Sequence, residues 1–275
     1  MSGQDLTQFE THFAFGKNWA SYAESIDEAE IAEAVAGLCR LLGGADLNGR
    51  RMLDIGSGSG IHSLAALRLG AAEVVSVDID SDSVATTRQV LQRHGEDRCQ
   101  VLELSVFDLD PNRLGKFDLV YSWGVLHHTG AMHRAIAAAA AMVVPQGQFV
   151  FALYRRTWMC PLWTLEKKWY SKASQAIQLR ARKTYASILR LGLLASGRSF
   201  DDYVRGYVGK RGMDFDHDVH DWLGGYPYES IAAQEVDDAM RAHGFALRRR
   251  FVQTALKHRI GILGSGCDEY VYART

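Results

Sequence analysis

Three glycines alternate with small residues in Asp54-Ile55-Gly56-Ser57-Gly58-Ser59-Gly60, and a carboxylate, Asp78, follows about 20 residues beyond them, a spacing suited to holding a nucleoside. Glycine takes backbone angles that a Cβ resists, and it lets a ligand approach the main chain closely. Asp78 closes Val74-Val75-Ser76-Val77-Asp78, where a carboxylate accepts hydrogen bonds from both hydroxyls of a ribose. A dinucleotide site uses the same acid, but its GxGxxG fingerprint sets a helix N-terminus against a pyrophosphate, whereas Gly56, Gly58 and Gly60 alternate. Asp54, directly before the turn, would repel a pyrophosphate and suits a cationic ligand. Downstream, His127 and His128 leave an apolar run together, and a neutral imidazole can remove a proton near pH 7.

These residues require a scaffold of successive βα units. Short β-branched runs predict strands near Arg51–Ile55, Glu73–Val77, Gln100–Leu104, Phe117–Ser122 and Gln148–Leu153, with helices near Ile61–Leu69, Ser81–His94 and the alanine-rich Met132–Val143. An amphipathic helix over Ile26–Leu42 stops at Gly43-Gly44. Beyond the core, a helix near Ser230–Ala242 and strands near Phe245–Gln253 and Asp268–Ala273 predict a closing antiparallel pair joined through Gly261–Gly266. The glycine turn and both imidazoles then sit at the carboxyl ends of parallel strands, where open α/β sheets place ligands.

With these motifs in order, the sequence resembles the class I S-adenosylmethionine-dependent methyltransferases from about Phe13 to the C-terminus. The resemblance implies a Rossmann-like α/β fold with a mostly parallel seven-stranded sheet and helices on both faces. It also implies a single domain: an N-terminal lid and helix over 13–43, a cofactor-binding core over 50–154, a helical substrate cap over 155–228 and the end of the sheet over 229–275. In that family the Asp54–Gly60 loop, with Gly56, Ser57, Gly58 and Gly60, contacts the methionine moiety of S-adenosylmethionine, and Asp78 with Ile79 holds the ribose. Asp108, in Ser105-Val106-Phe107-Asp108, matches the acid on the adenine amino group, with Phe107 beside the ring. The stretch from Phe117 through Ser122 and Trp123 to His128 matches as well, and places His128 ahead of His127 as a base. Pro145-Gln146-Gly147 departs from the usual Pro-Gly-Gly turn.

Upstream, Phe13-Ala14-Phe15-Gly16-Lys17-Asn18-Trp19 with Tyr22 is expected to fold over the cofactor, Phe15, Asn18, Trp19 and Tyr22 bordering it and aromatic faces meeting the sulfonium. The cluster from Arg211 to Glu229 contains Asp221-Trp222-Leu223-Gly224-Gly225-Tyr226-Pro227-Tyr228-Glu229, which resembles a signature of a bacterial subgroup similar to ubiquinone-biosynthesis methyltransferases, with Tyr228 replacing Phe. That likeness makes Asp221, Tyr226 and Glu229 candidates for facing the acceptor, and Glu269, in the similar Gly264–Tyr270 ending, a candidate for the same pocket. The acid-rich run is expected to be caps and turns. No metal is assigned to His217, His220 and their acidic neighbours.

Composition limits the rest. A chain of 275 residues with 47% hydrophobic residues and a net charge of −1 is an ordinary globular protein, and its overall charge names no partner. Charge is local: Arg155–Gly212 holds 13 Lys/Arg against three acids, interleaved with Trp and Tyr, in a stretch that reads as mostly helical. Such a field attracts an anionic small molecule, a membrane surface or RNA. The expectation is a small or lipid-linked acceptor, anionic acceptors included; an RNA-modifying methyltransferase and a non-catalytic RNA or membrane-surface binder are the alternatives. Four single cysteines without a CxxC pair, a polar start and no long apolar run suggest a cytoplasmic protein.

Overall fold

The computed structural model describes residues 5–8, 12–13, 15–207, 215–252, 260–262 and 264–275. Seven strands form one sheet: β1 (Arg51–Ile55), β2 (Glu73–Asp78), β3 (Cys99–Glu103), β4 (Phe117–Trp123), β5 (Val143–Tyr154), β6 (Phe245–Phe251) and β7 (Cys267–Arg274). Their order is β3-β2-β1-β4-β5-β7-β6, parallel except where β7 pairs antiparallel with β5 and β6. The order reverses between β1 and β4, which opens a crevice at their carboxyl ends. β1 and β2 are buried along most of their length because helices cover both faces, so they read as apolar runs and not as alternating ones.

One face carries α2 (Glu28–Leu42), α3 (Ile61–Arg68) and α4 (Ser81–Arg93), the other α6 (Met132–Ala141) and α11 (Ala233–Ala242); the short α5 spans Pro111–Leu114. Asp27 starts α2 through a capping box with Glu30, and Gly43 ends it in the left-handed conformation. After β5 come α7 (Cys160–Tyr170), α8 (Gln175–Ala195), α9 (Phe200–Arg205) and α10 (Phe215–Gly224). Tyr170, Leu189, Leu193, Tyr207, Phe215, Val219 and Leu223 form a third apolar cluster there, which also takes in Phe13. This cluster gives the helices after β5 a core of their own.

Four expectations change. The segment before α2 forms its own helix, α1 (Phe15–Ala23). The acid-rich run is largely helical, as α10, because Phe215, Val219 and Leu223 recur at intervals of four and bury one face; Arg211–Asp214 lie outside the described residues, as do Ala14, Leu263 and the Gln253 end of the expected strand. The helix expected from Ser230 begins at Ala233, since Ile231 is drawn into backbone bonds with Tyr154 and Arg156. β5 begins at Val143, so Pro145-Gln146-Gly147 is a bulge inside the strand: Phe117 pairs with Val143, and Leu119 already with Gln148.

Gln146 holds a φ of 63°, the left-handed region a Cβ disfavours. Replacing it with Gly is expected to stabilise the chain by about 1 kcal/mol, raising the melting temperature by roughly 2–4 °C in a thermal melt.

Candidate functional site

All three alternating glycines have positive φ, 76° at Gly56, 53° at Gly58 and 78° at Gly60, which is why the turn repeats glycine at every second position. A Cβ on Gly56 would lie 2.4 Å from the Val125 side chain, and one on Gly60 3.0 Å from the Thr87 backbone. The turn is braced against β2: the Gly56 and Ser57 amides donate to the Val77 carbonyl at 2.8 and 3.2 Å, and the Gly58 amide donates to Asp78 Oδ2 at 3.0 Å. Asp78 Oδ1 accepts from the Asp80 amide at 3.0 Å. Burial pushes the Asp78 carboxyl up to about 6, against the pull of these amides.

Above this turn a cavity of about 1210 Å³ opens. Gly56, Ser57, Gly58, Asp78, Ile79 and Phe107 line one end, and α1 covers it with Phe15, Trp19 and Tyr22. The Trp19 indole lies so close to Gly58 that a Cβ there would meet it at 3.0 Å. Gly16 and Asn18 fasten α1. The Gly16 amide donates to Asp80 Oδ2 at 2.9 Å, and Asn18 Nδ2 donates to Asp221 Oδ1 at 2.7 Å and to the His217 carbonyl at 3.1 Å. Asn18 therefore ties α1 to α10 and is not part of the cavity wall.

Other expected cofactor residues also stand outside that wall among the described residues. Asp54 faces α3, where Ser63 Oγ donates to it at 2.5 Å, and burial pushes its carboxyl up to about 7. Ser122 is buried behind the turn and donates to the Ile55 carbonyl at 3.1 Å. Asp108 is exposed at the end of a short 3-10 turn, and Gly60 packs on Thr87. Trp123 does line the cavity, and its indole donates to Glu269 Oε1 at 3.1 Å.

The two imidazoles part company. His127 is fully buried and absent from the cavity wall; its Nδ1 accepts from the Tyr154 amide at 3.2 Å, its carbonyl accepts from the Glu229 amide at 2.9 Å, and burial holds its pKa well below the usual range. It braces β5. His128 lines the cavity, 5.3 Å from the Phe15 ring. Its Nδ1–H donates to the Pro227 carbonyl at 2.7 Å, which leaves the lone pair on Nε2. Burial holds its pKa down to about 3, so the ring stays neutral.

Of the expected acceptor residues, Asp221 and Glu269 line the cavity, while Tyr226 and Glu229 do not. Glu229 Oε2 accepts from the Met132 amide at 2.9 Å and so caps α6. Tyr226 joins Pro227 through a cis peptide, and its carbonyl accepts from the Phe13 amide at 2.9 Å. Both oxygens of Glu269 already face the Arg40 guanidinium, at 2.9 and 2.8 Å.

The far end of the cavity is built from residues the sequence reading did not single out for it. Tyr154, Tyr185, Leu189, Tyr203, Tyr207 and Trp222 line it, with Arg198 and Asp218 as charged groups. Lys167 stands behind, fully buried, donating to the Trp222 carbonyl with its ammonium 3.5 Å from the Trp222 ring, and burial brings its pKa down to about 7. Helical spacing holds the clue: Cys160, Lys167 and Tyr170 share the buried face of α7. No group of three His, Cys, Asp or Glu is placed to hold a metal among the described residues.

A reversed strand order, a glycine turn and an acid at the end of β2 are the layout of the class I methyltransferase fold, whose cofactor is S-adenosylmethionine. Residues 53–151 match the methyltransferase-domain family, so the core of this chain is such a domain. A ribosomal protein L11 methyltransferase of Klebsiella pneumoniae is 48% identical over 54 residues, 20% of this chain and 18% of that protein. The chain thus spans about a fifth of the curated relatives it matches. Among solved structures, magnesium protoporphyrin IX methyltransferase from Synechocystis PCC 6803 with bound SAH aligns at a TM-score of 0.54, with 14% identity over 90% of this chain and 84% of that one. PKMT2 from Rickettsia typhi in complex with AdoHcy aligns at 0.60, with 13% identity over 88% of this chain and 53% of that one. Both are likenesses of fold.

Proposed function

We propose that this chain is a methyltransferase that uses S-adenosylmethionine to methylate a small, largely apolar acceptor, free or lipid-linked, held under α8, α9 and α10. The observation that carries this reading is continuity: a single cavity of about 1210 Å³ joins the glycine turn to the aromatic chamber. That exceeds the roughly 300–1,000 Å³ of an ordinary one-ligand pocket, so it has room for a donor and an acceptor together. In this reading residues 13–43 roof the cofactor, 50–154 hold it and 155–228 cap the acceptor.

The cofactor supplies an electrophilic methyl group when bound. Gly56–Gly58 offer bare backbone to its amino-acid end, Asp78 accepts from the ribose hydroxyls, and Phe107 and Ile79 pack on the base. Trp19 and Phe15 exclude water from above. Tyr154, Tyr185 and Trp222 orient the acceptor by ring contact, and Arg198 suits an anionic substituent. His128, neutral and oriented by Pro227, takes the acceptor proton where there is one to take.

The test pairs calorimetric binding of S-adenosylmethionine with transfer of a labelled methyl to a panel of phenols, quinols and aromatic amines. Binding with turnover on at least one of them is expected. His128→Ala should then keep cofactor affinity and lose turnover by about 100-fold or more. Because the ring is neutral down to pH of about 3, the rate profile should show no acid limb near the usual imidazole range. Equal turnover in His128→Ala rejects the base, and cofactor binding without turnover on any acceptor rejects the enzyme. Relatives named for ribosomal protein L11 share too little length to carry their acceptor across.

A further inference from the structure

α7 and the turn before it expose large apolar side chains that no other element covers among the described residues. Trp158 is 90% exposed, Leu162 56%, Leu165 65% and Trp169 53%. Leu162, Leu165 and Trp169, at spacings of three and four residues, share one narrow stripe of the helix about 10 Å long, and Trp158 lies in the turn just before it. The buried face of the same helix carries Cys160, Lys167 and Tyr170, so the exposed stripe is not needed to hold α7 in place. Single exposed apolar residues are unremarkable, but a contiguous row ending in two tryptophans marks an interaction surface.

We infer that α7 docks the chain on an anionic lipid surface, the stripe entering the boundary between headgroups and acyl chains. Charge selects this occupant. Lys168, Lys172, Arg180, Lys183 and Arg190 are exposed on α7, α8 and the turn between them, while the only acid from Trp158 to Arg198 is Glu166, which is half-buried. A two-fold contact with a second copy would set these cations against their own kind. RNA would meet the cations, but it gives the leucines no apolar medium to enter. Tryptophan favours the membrane interface, where its ring is buried and its N–H stays wet. Among the described residues no helix is long and apolar enough to cross a membrane, so the contact is a surface one.

The stripe also borders the cavity. The Met159 amide donates to the Ile260 carbonyl at 3.3 Å and Trp163 Nε1 donates to the Gly261 carbonyl at 2.7 Å, which places Ile260 and Ile262 beside the start of α7. Both isoleucines are exposed, at 40% and 61%, and both line the cavity. A chain docked through α7 therefore presents that rim of its cavity to the lipid.

The experiment is co-sedimentation of the full chain with vesicles of phosphatidylcholine alone and of phosphatidylcholine with phosphatidylglycerol. Binding is expected to be roughly tenfold or more tighter with phosphatidylglycerol, to weaken with added salt, and to shift tryptophan emission to the blue. The double variant Trp158→Ser/Leu165→Ser should lose about tenfold or more in vesicle affinity on both compositions. Lys168→Glu/Lys183→Glu should lose the preference for phosphatidylglycerol. All these positions are exposed, and an unchanged thermal melt and unchanged S-adenosylmethionine binding would show the variants folded. The inference is overturned by wild-type chain that stays in the supernatant with anionic vesicles, by variants that sediment like wild type, by a monomer–dimer equilibrium that the Trp158/Leu165 variant abolishes without any vesicle binding, or by binding to single-stranded RNA in place of vesicles.

Discussion

Asp78→Ala is expected to weaken S-adenosylmethionine binding by about 100-fold or more while leaving the chain folded. Two hydrogen bonds from ribose hydroxyls to a carboxylate are each worth about 1.5–3 kcal/mol, and the smaller figure for both already gives that factor. The same carboxylate braces the Gly58 and Asp80 amides, so the variant also loosens the turn. Titration calorimetry at pH 8 reads the loss, and affinity equal to wild type would remove Asp78 from the cofactor site. A pH dependence goes with it. Burial raises the Asp78 carboxyl to about 6, above its unfolded value of 3.8, so the ligand-free fold favours the protonated form and loses stability as pH rises from about 4 through 6. Cofactor affinity runs the other way: the ionised form is the stronger acceptor, so binding is fullest above pH 7 and declines as pH falls through about 6.

The largest effect on stability is expected at Asp268. Its carboxylate pairs with both Arg155 Nε, at 3.0 Å, and Arg155 Nη2, at the point where the chain leaves β5 for α7, and the two residues are 1% and 8% exposed. Asp268→Ala leaves a buried guanidinium without its partner, which costs about 3–5 kcal/mol and lowers the melting temperature by roughly 10 °C. The double change Arg155→Met/Asp268→Leu should recover most of that loss, because two apolar groups need no partner. Denaturant unfolding of wild type, Arg155→Met, Asp268→Leu and their double variant forms a double-mutant cycle; additive losses would show that the pair does not couple. Alternation along β7 gives this bond a bearing on the site: Cys267 and Glu269 line the cavity while Asp268 points to the opposite face.

The sheet was legible because β-branched runs separated by helical spacings have few other solutions, and predicted strands differ from the observed ones mainly at their ends. The glycine turn was legible too, since positive φ at every second residue leaves a mark in composition. Side-chain direction outside regular elements was not. Glu229 and His127 belong to backbone amides at Met132 and Tyr154, partners 97 and 27 residues away that no local pattern announces. Three acids in Asp216-His217-Asp218-Val219-His220-Asp221 hid the period of four that makes α10 a helix. Lys167 read as one of a basic pair, although helical spacing turns it inward and its neighbour Lys168 outward.

Asn18 joins α1 to α10 across the cavity. Any movement that lifts the first helix off Gly58 must therefore break with Asp221 or drag the chamber wall along. The roof over one end of the cavity and the wall of the other are thus mechanically coupled.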